Sequence, residues 1–136
     1  IYYEAAPSNT AFHDMSMADI EETADAHIKA YTFMAREALA YFQKRRKGSL
    51  YFIINARGYG TLPPVAASMY HGVKGLADTI ITYYKKEPVL CTGFECNSEE
   101  NEAAIDYIFR IIDQKQQKSD GKWYTWSGKP KLFPFG

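Results

Sequence analysis

Short β-rich runs alternate with segments of helical periodicity along this chain, and that alternation restricts its folds more than any other feature. Ile1–Ala6 reads as a strand ended by Pro7-Ser8-Asn9. Ser16 and Asp19 form an approximate capping box that opens a helix running to about Lys47, where Gly48 is predicted to stop it. Its apolar residues, from Ile20 through Ile28, Tyr31, Ala35 and Leu39 to Phe42, recur at helical spacing, and its length predicts a bend near Thr23–Asp25. Ser49–Asn55 is a continuous apolar run suited to a strand covered on both faces. After a loop over Arg57–Pro64, a second helix is predicted at about Ala66–Lys85, with Val73, Leu76, Ala77, Ile80, Ile81 and Tyr84 as its stripe. Pro88–Gly93 reads as a third strand. Asn97 with Glu100 caps a third helix whose stripe is Ile105, Ile108, Phe109 and Ile112. An Asp120-Gly121 turn leads to a last strand, Lys122–Trp126. This order predicts an α/β fold: a parallel sheet with right-handed crossovers and helices on both faces.

Composition narrows the function classes. The 136 residues suffice for one domain with a core, and 46% hydrophobic content argues against disorder. Lysine plus arginine (16) balance aspartate plus glutamate (16), which argues against a nucleic-acid or anionic-membrane binder. The basic run Lys44–Lys47 falls at a helix end, where cations complement the dipole. Cys91 and Cys96 form neither a CxxC motif nor a disulfide framework, so a reducing, cytoplasmic setting is the default expectation. No metal-ligand spacing and no membrane-length apolar run is present.

The sharpest chemical signal is Tyr70 with Lys74, one helical turn apart on one face. A free phenol titrates at roughly 10 and is a poor base at neutral pH. A neighbouring ammonium would lower that value and let the pair move a proton on or off a substrate oxygen. Taken alone, this spacing more often marks a half-buried tyrosine beside a solvated lysine.

Set within the strand–helix order, the pair resembles the YxxxK motif of the short-chain dehydrogenase/reductase family. The chain resembles that family's second half over nearly its whole length. Phe12–Ser16 and the long helix after it are similar to the family's dimer helix and its approach. Tyr3-Glu4-Ala5-Ala6 falls where Asn-Asn-Ala-Gly is usual, and Thr92-Gly93 where Pro-Gly is usual. The resemblance implies an incomplete Rossmann-like fold, a single partial domain over 1–136, within a longer protein. It implies that the full-length protein is an NAD- or NADP-dependent oxidoreductase acting on a small carbonyl or alcohol, with these 136 residues inactive by themselves. Tyr70 would be the acid/base. Lys74 would bind the nicotinamide ribose, and Gly93 would let the backbone approach the nicotinamide. Tyr31, Phe33, Met34, Tyr41 and Phe42 spread apolar surface over more than one face of the long helix. That fits the family's homo-oligomer, built through this helix and the YxxxK helix.

The departures define an alternative. The glycine-rich dinucleotide loop has no match; Gly58-Tyr59-Gly60 lacks a third glycine. The family's substrate-binding serine maps to Asn55 or Arg57, depending on how the loop is counted. Asn55 would serve as a substitute donor through its amide, and Arg57 would suit an anionic group. The family's relay asparagine maps to His27. Only Phe94-Glu95-Cys96 separates Gly93 from the Asn97 cap, which predicts a small substrate lid. These changes suit a degenerate, non-catalytic member acting as a binding or scaffold protein. A free strand edge at Ile1–Ala6 predicts pairing of that edge, or of the helices, with another chain.

Overall fold

The computed structural model describes residues 1–5, 8–97, 101–114 and 121–128. Four parallel strands form one sheet in the order β1 (Tyr2–Glu4), β2 (Gly48–Asn55), β3 (Val89–Cys96), β4 (Trp123–Trp126). The β2–β3 ladder is the longest, running in register from Gly48 opposite Val89 to Asn55 opposite Cys96. β1 and β4 flank it, pairing Glu4 with Asn55 and Cys96 with Trp126.

The long helical segment begins as the sequence predicts. Ser16 caps α1 (Met17–Ala24), its hydroxyl accepting from the Asp19 amide at 3.1 Å while the Asp19 carboxylate accepts from the Ser16 amide at 3.2 Å. A π-turn over Asp25–Lys29 interrupts the helix close to the anticipated bend, and α2 (Ala30–Arg45) continues it. The helix ends at Arg45 rather than Lys47. Arg46 takes the left-handed conformation (φ 49°) and closes the last turn, leaving Gly48 free to open β2. Lys44 and Arg45 lie in that last turn, as the dipole argument requires. α3 (Pro64–Tyr83) starts with proline in its first turn, where no amide proton is needed.

Alternation along the strands sorts residues between two faces. Leu50, Phe52, Val89 and Cys91 pack with Ala35, Leu39, Ala77, Ile80 and Ile81 of α2 and α3. Tyr3, Ile54 and Ala56 pack with Tyr70 and Val73 farther along the same face. On the other face, Phe94 stacks on Tyr124 (ring centroids 5.6 Å apart) and lies 6.1 Å from Tyr51.

α4 (Asn101–Gln114) belongs to that second face, where Tyr107 meets Trp126 at 5.1 Å. Helices on both faces are thus as predicted, but one connection departs from expectation. The strands advance in a single direction while α4 sits opposite α2 and α3. The β3–β4 connection therefore has the opposite hand to the two before it. The stripe of α4 is also displaced: Ala104 and Ile108 are buried, whereas Ile105 and Phe109 are 50% and 59% exposed. Residues 104, 107, 108 and 111 share one helix side, and 105 and 109 lie about 100° around it. The Asn97–Glu100 cap and the Asp120 half of the turn involve residues outside the described ones.

Candidate functional site

α3 carries Tyr70 toward the sheet because Val65, Ala66, Val73, Ala77, Ile80 and Ile81 bury the same side of the helix. Within the motif, Gly72 lets the π-turn approach closely; a Cβ there would lie 2.4 Å from the Ile28 side chain. Tyr70 is 2% exposed. Tyr59, from a 3₁₀ turn over Tyr59–Thr61, covers it with ring centroids 4.6 Å apart. Tyr59 is held in turn by a hydrogen bond between its hydroxyl and His71 Nε2.

Tyr70 and Lys74 converge on a residue the sequence reading gave no chemical role. Tyr70 Oη donates to Glu95 Oε1 at 3.0 Å, and Lys74 Nζ donates to Glu95 Oε2 at 2.5 Å. Lys74 Nζ also lies 5.6 Å from the Trp123 ring centroid. Glu95 reaches this position because β3 extends to Cys96, absorbing Phe94-Glu95-Cys96, which were expected to form a short lid. Along β3, Val89, Cys91, Gly93 and Glu95 alternate toward α3. A glutamate in phase with that apolar face was the available signal.

The electrostatics reverse the sequence expectation for Tyr70. Its pKa is raised, first by burial and then by the charge and hydrogen bond of Glu95. The Lys74 ammonium is spent on the carboxylate and leaves the phenol a poor acid.

Asn55 and Arg57 are not brought to Tyr70. Successive strand residues point to opposite faces, so with Ile54 turned toward Tyr70, Asn55 turns away. Its Nδ2 donates to Glu4 Oε1 at 3.0 Å and Tyr2 Oη at 3.3 Å, and its Oδ1 accepts from the Arg57 amide at 3.0 Å. The Arg57 guanidinium lies 3.7 Å from Glu4. Both candidate substitutes for the serine therefore belong to a polar cluster on the second face.

Gly93 sits within β3 and not at the strand end, and a Cβ there would lie 2.4 Å from the Trp123 indole. The space that glycine leaves open is filled by tryptophan.

His27 lies in the π-turn, edge-to-face with Tyr3 at 5.6 Å, and burial lowers its pKa. Its Nδ1 is buried without a hydrogen-bond partner among the described residues. Tyr3, which meets His27 edge-to-face, belongs to the same buried cluster as Tyr70. No group of three or more potential metal ligands occurs among the described residues.

No protein-family profile and no curated protein matches this sequence. Solved structures do. An Escherichia coli K-12 protein assigned as an oxidoreductase superposes with TM-score 0.69 at 13% identity, over 93% of this chain and 61% of that one. A Mycobacterium smegmatis short-chain dehydrogenase gives TM-score 0.67 at 17% identity, over 93% of this chain and 57% of that one. An Enterobacter cloacae acetoin dehydrogenase gives 0.65 at 12%, over 98% of this chain and 66% of that one. The strand order, the helix placement and these superpositions together show that the chain has the fold of the short-chain dehydrogenases, over about 57 to 66% of their length.

Proposed function

We propose that the protein is an oxidoreductase of the short-chain dehydrogenase type, using NAD or NADP on a small carbonyl or alcohol substrate. The observation that carries this reading is the convergence of Tyr70 and Lys74 near the carboxyl end of a parallel sheet. Ligands of open α/β sheets bind beyond that end. The cofactor would supply the hydride chemistry. Tyr70 would give its proton to the substrate oxygen, and Lys74 would offset the negative charge left behind. Asn55 and Gly93 take no part in this reading.

The test is carbonyl-dependent oxidation of NADH or NADPH by the full-length protein and by its Tyr70→Phe variant. A rate lowered at least about a hundredfold in the variant supports Tyr70 as proton donor. Equal rates sink it.

A second reading, a degenerate member acting as a binding or scaffold protein, is favoured by one specific observation. The Tyr70 proton is already committed to Glu95, and the pKa of the phenol is raised. Titrating NADH or NADPH with the full-length protein separates the two: nicotinamide fluorescence that does not change supports the scaffold.

Assembly is proposed through the long helices. Phe33, Met34 and Tyr41 of α2 are exposed, and an open groove runs between α2 and α3 past Thr32, Arg36, Leu39, Leu76 and Ile80. Light scattering of a monomer at high concentration would contradict this, as would a solution structure of a monomer with the β1 edge free. Among the described residues no helix is long and apolar enough to cross a membrane.

A further inference from the structure

A phenol has a single proton, and in this structure Glu95 receives it. While Tyr70 donates to that carboxylate it cannot donate to a substrate oxygen. Deprotonation is opposed as well, because a phenolate would then face a carboxylate about one hydrogen bond away. Glu95 thus resists acid and base chemistry alike. The carboxylate itself is well served. One oxygen receives the phenol and the other the ammonium, the Glu95 side chain is 21% exposed, and that of Lys74 is 30% exposed. Such charge-assisted hydrogen bonds are the strong ones.

The contact also spans the fold. Glu95 lies near the end of β3, whereas Tyr70 and Lys74 occupy successive turns of α3. Tyr59 and Trp123 close the triangle from either side. Nothing in the proton-donor role of Tyr70 calls for a carboxylate at this place.

We propose that Glu95 is an internal latch: its carboxylate holds the proton of Tyr70 and the charge of Lys74, ties β3 to α3, and must be displaced by a substrate oxygen before the pair can act. Glu95 is a positioning residue in this scheme. The functional half of the proposal rests on Tyr70 being the proton donor; the structural half does not.

The test follows the Tyr70 Cζ resonance against pH in protein labelled with [¹³Cζ]tyrosine, the resonance being identified by its loss in Tyr70→Phe. The titratable groups facing Tyr70 are Glu95 from β3, Tyr3 from β1 and Tyr59 from the covering turn, with His71 in ring contact and Lys74 on its own helix. Glu95→Gln keeps an acceptor for the phenol and removes the charge. The Tyr70 midpoint is expected to fall by at least about one pH unit. Lys74→Met leaves the carboxylate without its cation, and the midpoint is expected to move up. An unchanged midpoint in Glu95→Gln overturns the latch, as do shifts of the same sign in both variants, which would report general loosening.

The same substitutions are assayed for NADH and NADPH oxidation in the full-length protein. A rate higher in Glu95→Gln than in the parent supports the latch. A fallen midpoint with a fallen rate overturns it, because Glu95 would then assist the chemistry. A fallen midpoint with no oxidation by the full-length parent or variant upholds the hold on Tyr70 and overturns the oxidoreductase reading instead.

Discussion

Toward α2 and α3 the strands present Leu50, Phe52, Ile54, Val89 and Cys91, all buried, and at their carboxyl end Glu95 bound to Tyr70 and Lys74. Toward the other side the same strands present Tyr2, Tyr51, Phe94 and Tyr124, and at the same end Asn55 and Glu4 with Arg57 nearby. The first face is aliphatic and ends in a partly exposed ion pair carrying a buried phenol. The second is aromatic and ends in an exposed polar cluster. Two groups adjacent in sequence, Ile54 and Asn55, serve different faces. Proximity in the chain is therefore a poor guide to membership of a site built on a strand.

The largest expected contrast concerns core packing. Phe52 is 3% exposed on the first face, and Phe52→Ala should cost about 3–5 kcal/mol. Tyr2 is 53% exposed on the second, and Tyr2→Ala should stay within about 0.5 kcal/mol. Urea denaturation of both variants checks this. A comparable loss in each would mean the second face is as tightly packed as the first.

Gly93→Val should destabilise by about 1–3 kcal/mol, because the added atoms meet the Trp123 indole. Combining it with Trp123→Leu in a double-mutant cycle should recover much of that loss. A cost that persists in the smaller background would show that indole contact is not why glycine stands there.

The polar ends of the two faces differ in the same sense. Glu95→Ala leaves the hydroxyl of the buried Tyr70 without an acceptor and should cost about 1–3 kcal/mol. Glu4→Ala removes contacts made in solvent and should change stability by less than about 0.5 kcal/mol. Reversal of this order in thermal melts would break the distinction between an enclosed and an open site.

The smallest effect is a pH dependence on the covered face. Burial depresses the pKa of His27, so the folded state takes up its proton later than the unfolded chain does. Stability from this group is present above the unfolded value of about 6.5 and declines as pH falls below it. Comparing urea midpoints at two pH values on either side of 6.5, for parent and His27→Phe, isolates it. A parent slope equal to that of the variant would show that His27 titrates alike in both states.

Much of the fold was legible because its signals are local. Ser16 and Asp19 announce a helix start by side chains that bond their own neighbours, and the apolar run at Ser49–Asn55 needs no partner to be recognised. The end of β3 was not legible. Gly93 looked like a strand terminus, yet the pairing of Phe94, Glu95 and Cys96 with β4 carries the strand three residues further. The stripe of α4 was off by one position at two residues, since Ile105 and Phe109 have the right chemistry and the wrong angle.

By itself the sequence determined the alternation of strands and helices, the parallel α/β class, and the placing of Tyr70 and Lys74 on one helix face. All three follow from periodicities set within a few residues of backbone geometry. Only the tertiary structure decided what that pair meets. Glu95 is 25 residues from Tyr70 and 21 from Lys74, and it arrives between them through strand register and the docking of α3. The sign of the Tyr70 shift was decided there too. Burial and a carboxylate at hydrogen-bond distance outweigh an ammonium one turn away, because desolvation and close charge depend on packing that no local spacing encodes.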